Sequence, residues 1–250
     1  MEYSFKYGKG EQKFDFPEDD VVMVVNPAEV KIADSTEEEK VREAIDHPIG
    51  SPKLEDIIKP GETVCVIVPD TTRLWQHPDV MCGVLIRKLE EIGVADSDML
   101  IISALGTHRK QTEEEMRAIV GDDVYDRVRM EDHDCDHNLV EVGTTSDGNI
   151  VELNATAMSY DHRILVGGVV FHFLAGFGGG RKTILPGISS RKTIMHNHSH
   201  YFNPGGLGSG RDMNVSCGVL DKANKVHQGM VEAARLAKVD FIVNDIAADG

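Results

Sequence analysis

Val64-Cys65-Val66-Ile67-Val68-Pro69-Asp70-Thr71-Thr72-Arg73 passes within one step from an unbroken apolar run to a charged, hydroxyl-rich loop. The apolar part is short, rich in β-branched residues and bounded by Gly61 and Pro69, which reads as a strand buried on both faces. A helical pattern follows from about Pro78, with Val84, Leu85, Leu89 and Ile92 as its apolar stripe. Residues 99–103 read as a second buried strand, and Thr112 with Glu115 caps another helix. Buried strands alternating with amphipathic helices predict an α/β fold: a Rossmann-like, mainly parallel sheet with helices on both faces.

Upstream, Tyr3, Phe5 and Tyr7, then Phe14 and Phe16, alternate around Gly8-Lys9-Gly10 and predict an N-terminal β-hairpin. Ser35 and Glu38 suggest a capping box for a short acidic helix ending before Pro48, and Ser51-Pro52 a second helix start. Downstream, residues 139–142 and 150–153 pair as a hairpin around Asp147-Gly148. Residues 164–170 predict a strand ending at His172, and a helix over 224–237 leads into a last strand over 239–243. No internal repeat and no low-complexity linker interrupts the chain.

The 250 residues carry a net charge of −16, which argues against a general binder of nucleic acid or of anionic membranes. A small anionic ligand in a local basic pocket stays compatible with that charge. Cys65, Cys82, Cys135 and Cys217 are far apart with no C-x-x-C pair, and no signal peptide or membrane-length apolar run is present. Reduced thiols and a cytoplasmic protein are the expectation.

Three polar loops follow predicted strand ends: 69–73, 106–109 and 172–182. Ligands of open α/β sheets bind outside the carboxyl ends of strands. Asp70-Thr71-Thr72-Arg73 suits a ribose and a phosphate or carboxylate, Arg73 offering bidentate contact, though a helix N-cap followed by a solvated Arg accounts for the same residues. His108, in Gly106-Thr107-His108-Arg109, and His172 are candidates for proton transfer, although a lone loop His is more often structural.

The stretch Phe171-His172-Phe173-Leu174-Ala175-Gly176-Phe177-Gly178-Gly179-Gly180-Arg181-Lys182 combines a His, a glycine-rich turn and a basic pair. It nearly matches a phosphate-binding loop, G-x-x-x-x-G-K-[ST], but Arg181 takes the place of the second glycine. Nucleotide triphosphate hydrolysis is therefore not expected. His196, His198 and His200 alternate. On a strand they would share a face and could bind zinc, whereas on a helix His196 and His200 share one face and His198 points elsewhere. Ser189 or Ser190 as a cap favours the helix. The acidic run 131–137, with His133 and His137, reads as a loop or strand edge.

With those residues in hand, the chain resembles the nickel-pincer lactate racemase family. The matching pieces are Tyr7-Gly8-Lys9-Gly10, Asp70-Thr71-Thr72-Arg73, Gly106-Thr107-His108-Arg109, the run from His172 through Lys182 to Leu185-Pro186-Gly187, and Thr193-Ile194 before Asn197-His198-Ser199. They agree in order and spacing along nearly the whole chain. The resemblance implies a nickel-pincer nucleotide, that is, nickel held by pyridinium-3,5-bisthiocarboxylic acid mononucleotide. It places Lys182 as the covalent thioamide anchor, His198 as a nickel ligand, Asp70, Thr71, Thr72 and Arg73 around cofactor and substrate, and His108 and His172 as paired acid–base residues.

The implied activity is racemisation or epimerisation of lactate or a related 2-hydroxy acid by hydride transfer through a 2-oxo acid. The implied partners are that small acid, the proteins that build the cofactor, and a carboxy-terminal domain. On this reading residues 1–250 are an amino-terminal cofactor-binding domain, the carboxy-terminal domain is absent from the chain, and the domain by itself is inactive. Two rival expectations remain open: a zinc hydrolase using His108, His172 and the 196–200 cluster, and a catalytically silent cofactor-binding domain.

Overall fold

Alternation along five short strands produces the main sheet and both of its packed faces. The computed structural model describes residues 1–8, 10–24, 35–203, 206–207, 218–220 and 224–246. The chain divides into two compact units, Met1–Asp34 and Ser35–Gly250.

In the first unit, β1 (Glu2–Tyr7) and β2 (Gly10–Asp15) form the antiparallel hairpin. Phe5 packs on Phe14 and Tyr3 on Phe16, with ring centroids 5.8 and 5.9 Å apart, so the alternating aromatics share one face. Lys9 lies outside the described residues.

The second unit opens with α1 (Glu37–Asp46), α2 (Leu54–Ile57), β3 (Val64–Val68), α3 (Pro78–Ile92) and β4 (Met99–Ser103). Then come α4 (Glu113–Val120), α5 (Asp122–Arg127), β5 (Arg129–Asp132), β6 (Leu139–Thr144), β7 (Ile150–Asn154), α6 (Ala155–Ser159) and β8 (His162–Gly168). The rest is β9 (Phe171–His172), β10 (Gly176–Phe177), α7 (Arg191–Ser199), β11 (Phe202–Asn203), β12 (Gly206–Leu207), α8 (Lys225–Leu236) and β13 (Phe241–Asp245).

The five-stranded sheet is wholly parallel, in the order β13-β8-β3-β4-β5. Val64, Val66, Val68, Met99, Ile101, Ile164 and Val166 face one layer, formed by α1 to α5. Cys65, Ile67, Leu100, Ile102 and Leu165 face the other, with Val151, Leu153, Ile194, Val226 and Met230. Each fully buried Leu, Ile or Val side chain contributes about 1.5–3 kcal/mol, so this period-two split is the main source of the layered core. It is also why unbroken apolar runs mark the central strands.

Strand order reverses at β3: the chain goes from β3 to β4 and β5 on one side, and β8 then lies on the other. Loops leaving β3 and β8 diverge at their carboxyl ends and open a crevice between them.

Several boundaries move. The capping box is Thr36 with Glu39, not Ser35 with Glu38, because it closes in both directions there and frees Glu38 to pair with Arg87 at 3.2 Å. The helix expected at Ser51-Pro52 begins at Leu54, whose buried side chain anchors it. β8 ends at Gly168, and His172 belongs to the small β9–β10 ribbon. β13 starts two residues later than expected, because Lys238 turns with φ +52° and Asp240 accepts a bond from the Arg163 amide. β5 carries too many charges to read as a strand and is an edge of the sheet. The hairpin around Asp147-Gly148 and the helix after Asn224 match the expectation.

Among the described residues no helix is long and apolar enough to cross a membrane. Cys65, Cys82 and Cys135 are free and buried, and burial pushes the Cys65 and Cys82 thiols up to about 12. Cys217 lies outside the described residues.

Candidate active site at the carboxyl edge of the sheet

The crevice is a cleft of about 380 Å³, lined among others by Asp70, Arg73, His108, His172, Lys182 and His198. Four separate chain segments deliver them: the β3 loop, the β4 loop, the glycine-rich stretch and α7. Thr71, Thr72, His196 and His200 are not among the lining residues.

Asp70 is buried and caps the turn that follows β3, accepting from the Thr72 amide at 3.1 Å and from the Thr72 hydroxyl. Its other oxygen pairs with Nδ1 of His108. A carboxylate can only accept there, so Nδ1 of His108 carries a proton and Nε2 is the ring nitrogen left for other chemistry. Asp70 thus faces a histidine in addition to whatever the cleft holds, and Thr72 serves Asp70. Arg73 donates to the Thr72 hydroxyl at 3.0 Å.

His172 is held in the opposite tautomer. Its Nδ1 accepts from the amides of Leu174 and Ala175, both at 3.1 Å, so the proton sits on Nε2. Burial pushes its pKa down to about 4, and the charges of Lys182, Arg73, His198 and Arg181 act in the same direction. The cleft therefore holds two imidazoles fixed in opposite senses, Nδ1 of His108 donating and Nδ1 of His172 accepting.

Lys182 follows the glycine turn and is half-buried. Burial, reinforced by Arg73 and Arg181, pushes its amine down to about 8. Its carbonyl accepts from Gly187 at 3.0 Å, and the Gly187 carbonyl accepts from Gly106 at 2.8 Å, which ties the lysine loop to the His108 loop. A Cβ on Gly187 would lie 2.0 Å from the Thr183 carbonyl oxygen, so this contact requires glycine.

The glycine run is required by the packing of its own loop. Gly179 has φ +72°, and a Cβ there would meet the Gly168 oxygen and the Asn244 side chain, both at 3.0 Å. Glycines let this loop lie directly against the end of β8. Arg181 turns back to donate to the carbonyls of Ala175 and Phe177 and to Nδ1 of His227. The residue that breaks the phosphate-loop pattern is thus the brace of its own loop.

Ser190 caps α7, so the 196–200 segment is helical. His198 Nδ1 lies 3.1 Å from the Ile194 carbonyl oxygen, a bond that fixes the proton on Nδ1 and leaves Nε2 as a metal-ready lone pair. Burial lowers its pKa, which also favours the neutral ligand form. Asp70 is engaged by His108 and Thr72, while Arg73 and Lys182 supply positive charge, so the donor set fits an anionic, metal-bearing group.

Other supports gave no sequence signal of their own. Gln111 accepts from the Thr71 amide at 2.7 Å and donates to Ser103 and Asp132, bracing the Asp70 loop. Asn244 accepts from the Gly180 amide, and Asn224 donates to the carbonyls of Leu174 and Val219. His133, in the acidic run, is buried between the Ser189 carbonyl and Asn154, a structural histidine inside the molecule.

Burial lowers the pKa of His133, His172, His198 and His227 alike. The unfolded chain takes up protons on these rings near pH 6.5 while the folded chain resists. Stability contributed by neutrality is present above pH 6.5 and is lost as pH falls toward 4. Urea unfolding should thus show ΔG already falling between about pH 6.5 and 5.5, before most carboxylates protonate. A flat profile across that window would contradict the burial of these rings.

Comparison with known proteins gives the chain a family. Residues 7–210 match the lactate racemase N-terminal domain family. A lactate racemase of Lactiplantibacillus plantarum is 36% identical over 213 residues, 84% of this chain and 47% of that protein. One from Thermoanaerobacterium thermosaccharolyticum is 33% identical over 245 residues, 95% of this chain and 54% of that protein. The solved lactate racemase apoprotein from T. thermosaccharolyticum superimposes with a TM-score of 0.82 at 31% identity, covering 98% of this chain and 55% of its own. The chain spans about half the length of the curated relatives it matches.

Proposed function

The chain belongs to the lactate racemase N-terminal domain family, and from that premise we propose that it is the cofactor-bearing half of a racemase or epimerase for lactate or a related 2-hydroxy acid. The observation that carries this reading is the meeting of two oppositely held histidines, a neutral-prone lysine and a metal-ready histidine in one cleft.

Lys182 would hold a nickel-pincer nucleotide covalently and His198 would ligate its nickel. When bound, that group supplies an electron-poor acceptor for the hydrogen on C2, which a carboxylate neighbour makes hard to remove as a proton. The chain's own residues do the rest. Arg73 holds the substrate carboxylate. His108 Nε2 takes the hydroxyl proton, and Asp70 stabilises the imidazolium that results. In the other orientation His172 Nε2–H donates a hydrogen bond that polarises the substrate oxygen, while the hydroxyl proton is taken up by His108 and returned to that oxygen from it. Return of hydrogen to either face of a planar 2-oxo acid gives either enantiomer.

A covering domain also fits the cleft's surroundings. Leu74, Trp75, Phe171, Phe173 and Met195 are large apolar side chains left 38–67% exposed. Apolar surface gathered around a polar cleft suits a partner that closes over it and excludes water. The cofactor-making proteins are further partners on this reading, and a cytoplasmic setting suits the free thiols.

The test is racemisation of 2-deuterated lactate in ordinary water by a two-domain, cofactor-loaded form. Retention of deuterium in the inverted product is expected, because hydrogen leaves and returns as hydride. Washout to solvent with inversion would mean proton abstraction at C2, and absence of inversion with every 2-hydroxy acid tried would remove the racemase reading.

A further inference from the structure

The three alternating histidines of α7 divide their work. His198 lines the cleft, while His196 and His200, one helical turn apart, share a different face. Opposite that pair stands Asp147 in the β6–β7 turn. Its Oδ2 lies 2.5 Å from Nε2 of His200 and 3.5 Å from Nε2 of His196. One donor atom from each of the three residues lies within 4.8 Å of the others.

The turn that presents Asp147 is fixed from several directions. The Thr145 hydroxyl donates to Asp147 Oδ1 and accepts from the Asn149 amide at 3.0 Å. Asn149 is buried and donates to the Thr193 carbonyl of α7 at 3.0 Å. Ser146 donates its amide and hydroxyl to Glu232 of α8 at 2.6 and 2.7 Å. Oδ1 is thus oriented by its own turn, and Oδ2 is the oxygen left for the imidazoles, an outer-shell arrangement typical of metal-binding carboxylates.

We propose that Asp147, His196 and His200 bind one divalent first-row transition-metal ion, zinc(II) being the ion this donor set suits best. Two imidazoles and a carboxylate with one open position for water make a tetrahedral zinc site. Metal–ligand bonds of about 2.0–2.1 Å place donors about 3.3 Å apart. The His196–Asp147 spacing meets this already, and the His200–Asp147 pair opens by less than about 1 Å through side-chain rotation. The side chains are 21–39% exposed, which gives the ion an entry path. The site lies apart from the cleft and fastens the last turn of α7, the helix that carries His198, to the β6–β7 turn.

The test titrates the metal-free 250-residue chain with Zn²⁺ by calorimetry, and with Co²⁺ by visible absorption. One ion per chain is expected at this site, with the intense absorption of tetrahedral cobalt and a raised melting temperature. His196→Gln decides, because its long contact in the ion-free chain leaves the His200–Asp147 pair and the fold intact. Zn²⁺ affinity should drop by at least about 100-fold in that variant, beyond the range seen for outer-shell changes, and likewise in Asp147→Asn. Circular dichroism confirms folding of both. Absence of saturable binding, or binding that follows His198→Ala and ignores His196→Gln, overturns the site.

Discussion

Lys182→Ala, produced alongside the cofactor-making proteins, should be recovered at its bare polypeptide mass, whereas the parent chain should carry a covalent adduct and nickel. The lysine amine must be unprotonated to form an amide-type bond, and its pKa is pushed down to about 8 by burial and by Arg73 and Arg181. At pH 7.5 about a quarter of such amines are free, against about a thousandth for an ordinary lysine. The cleft thus raises the nucleophilic fraction by more than about 100-fold before any other effect acts. The fold should survive the change. No carboxylate pairs with the Lys182 amine among the described residues, and removal of a desolvated ammonium leaves no partner stranded. Lys182→Arg separates charge from chemistry, since a guanidinium keeps the positive field but cannot form the bond. It should also be recovered bare. Intact mass and thermal melting read both halves of the prediction. An adduct persisting on the alanine chain would remove Lys182 from its assigned role.

Much of this arrangement was legible in the sequence, for reasons specific to each element. β3 and β4 announce themselves because strands buried on both faces must be apolar throughout. The helix caps at Thr112 and Ser190 are local chemistry, readable within four residues. The three loops at the carboxyl edge followed from where those strands end. What escaped the sequence depends on long-range contact. β5 is polar because it is an edge, so its composition conceals it. Asp70 reads equally well as a cap or as a ligand, and only its approach to His108, 38 residues away, shows that it is a cap and a histidine's partner at once. Arg181 looks like a defect in a phosphate loop until its carbonyl partners are seen. The histidine cluster shows the same limit. Helical spacing separated His198 from its neighbours, but nothing local indicated that Asp147 stands across from them.

The paired histidines carry the other large effect, in a two-domain, cofactor-loaded form of the protein. His108→Ala and His172→Ala should each lower racemisation by about 10²–10⁴-fold, the usual cost of losing one acid–base group. Both variants should keep the adduct and the nickel by mass, since neither ring anchors the cofactor or ligates the metal on this reading. The two differ in what supports them, and that difference gives a sharper arm. His108 depends on Asp70 to hold its Nδ1 proton, while His172 depends on two backbone amides that no side-chain change removes. Asp70→Asn should therefore reproduce most of the His108→Ala loss, because an amide facing Nδ1 no longer fixes the tautomer or stabilises the imidazolium. Combining Asp70→Asn with His108→Ala should cost little beyond either alone, as expected of residues acting as one unit. Adding Asp70→Asn to His172→Ala should deepen the loss. If both alanine enzymes interconvert the enantiomers of lactate, or of another accepted 2-hydroxy acid, at near the parent rate, the rings are structural and the cleft works by other groups.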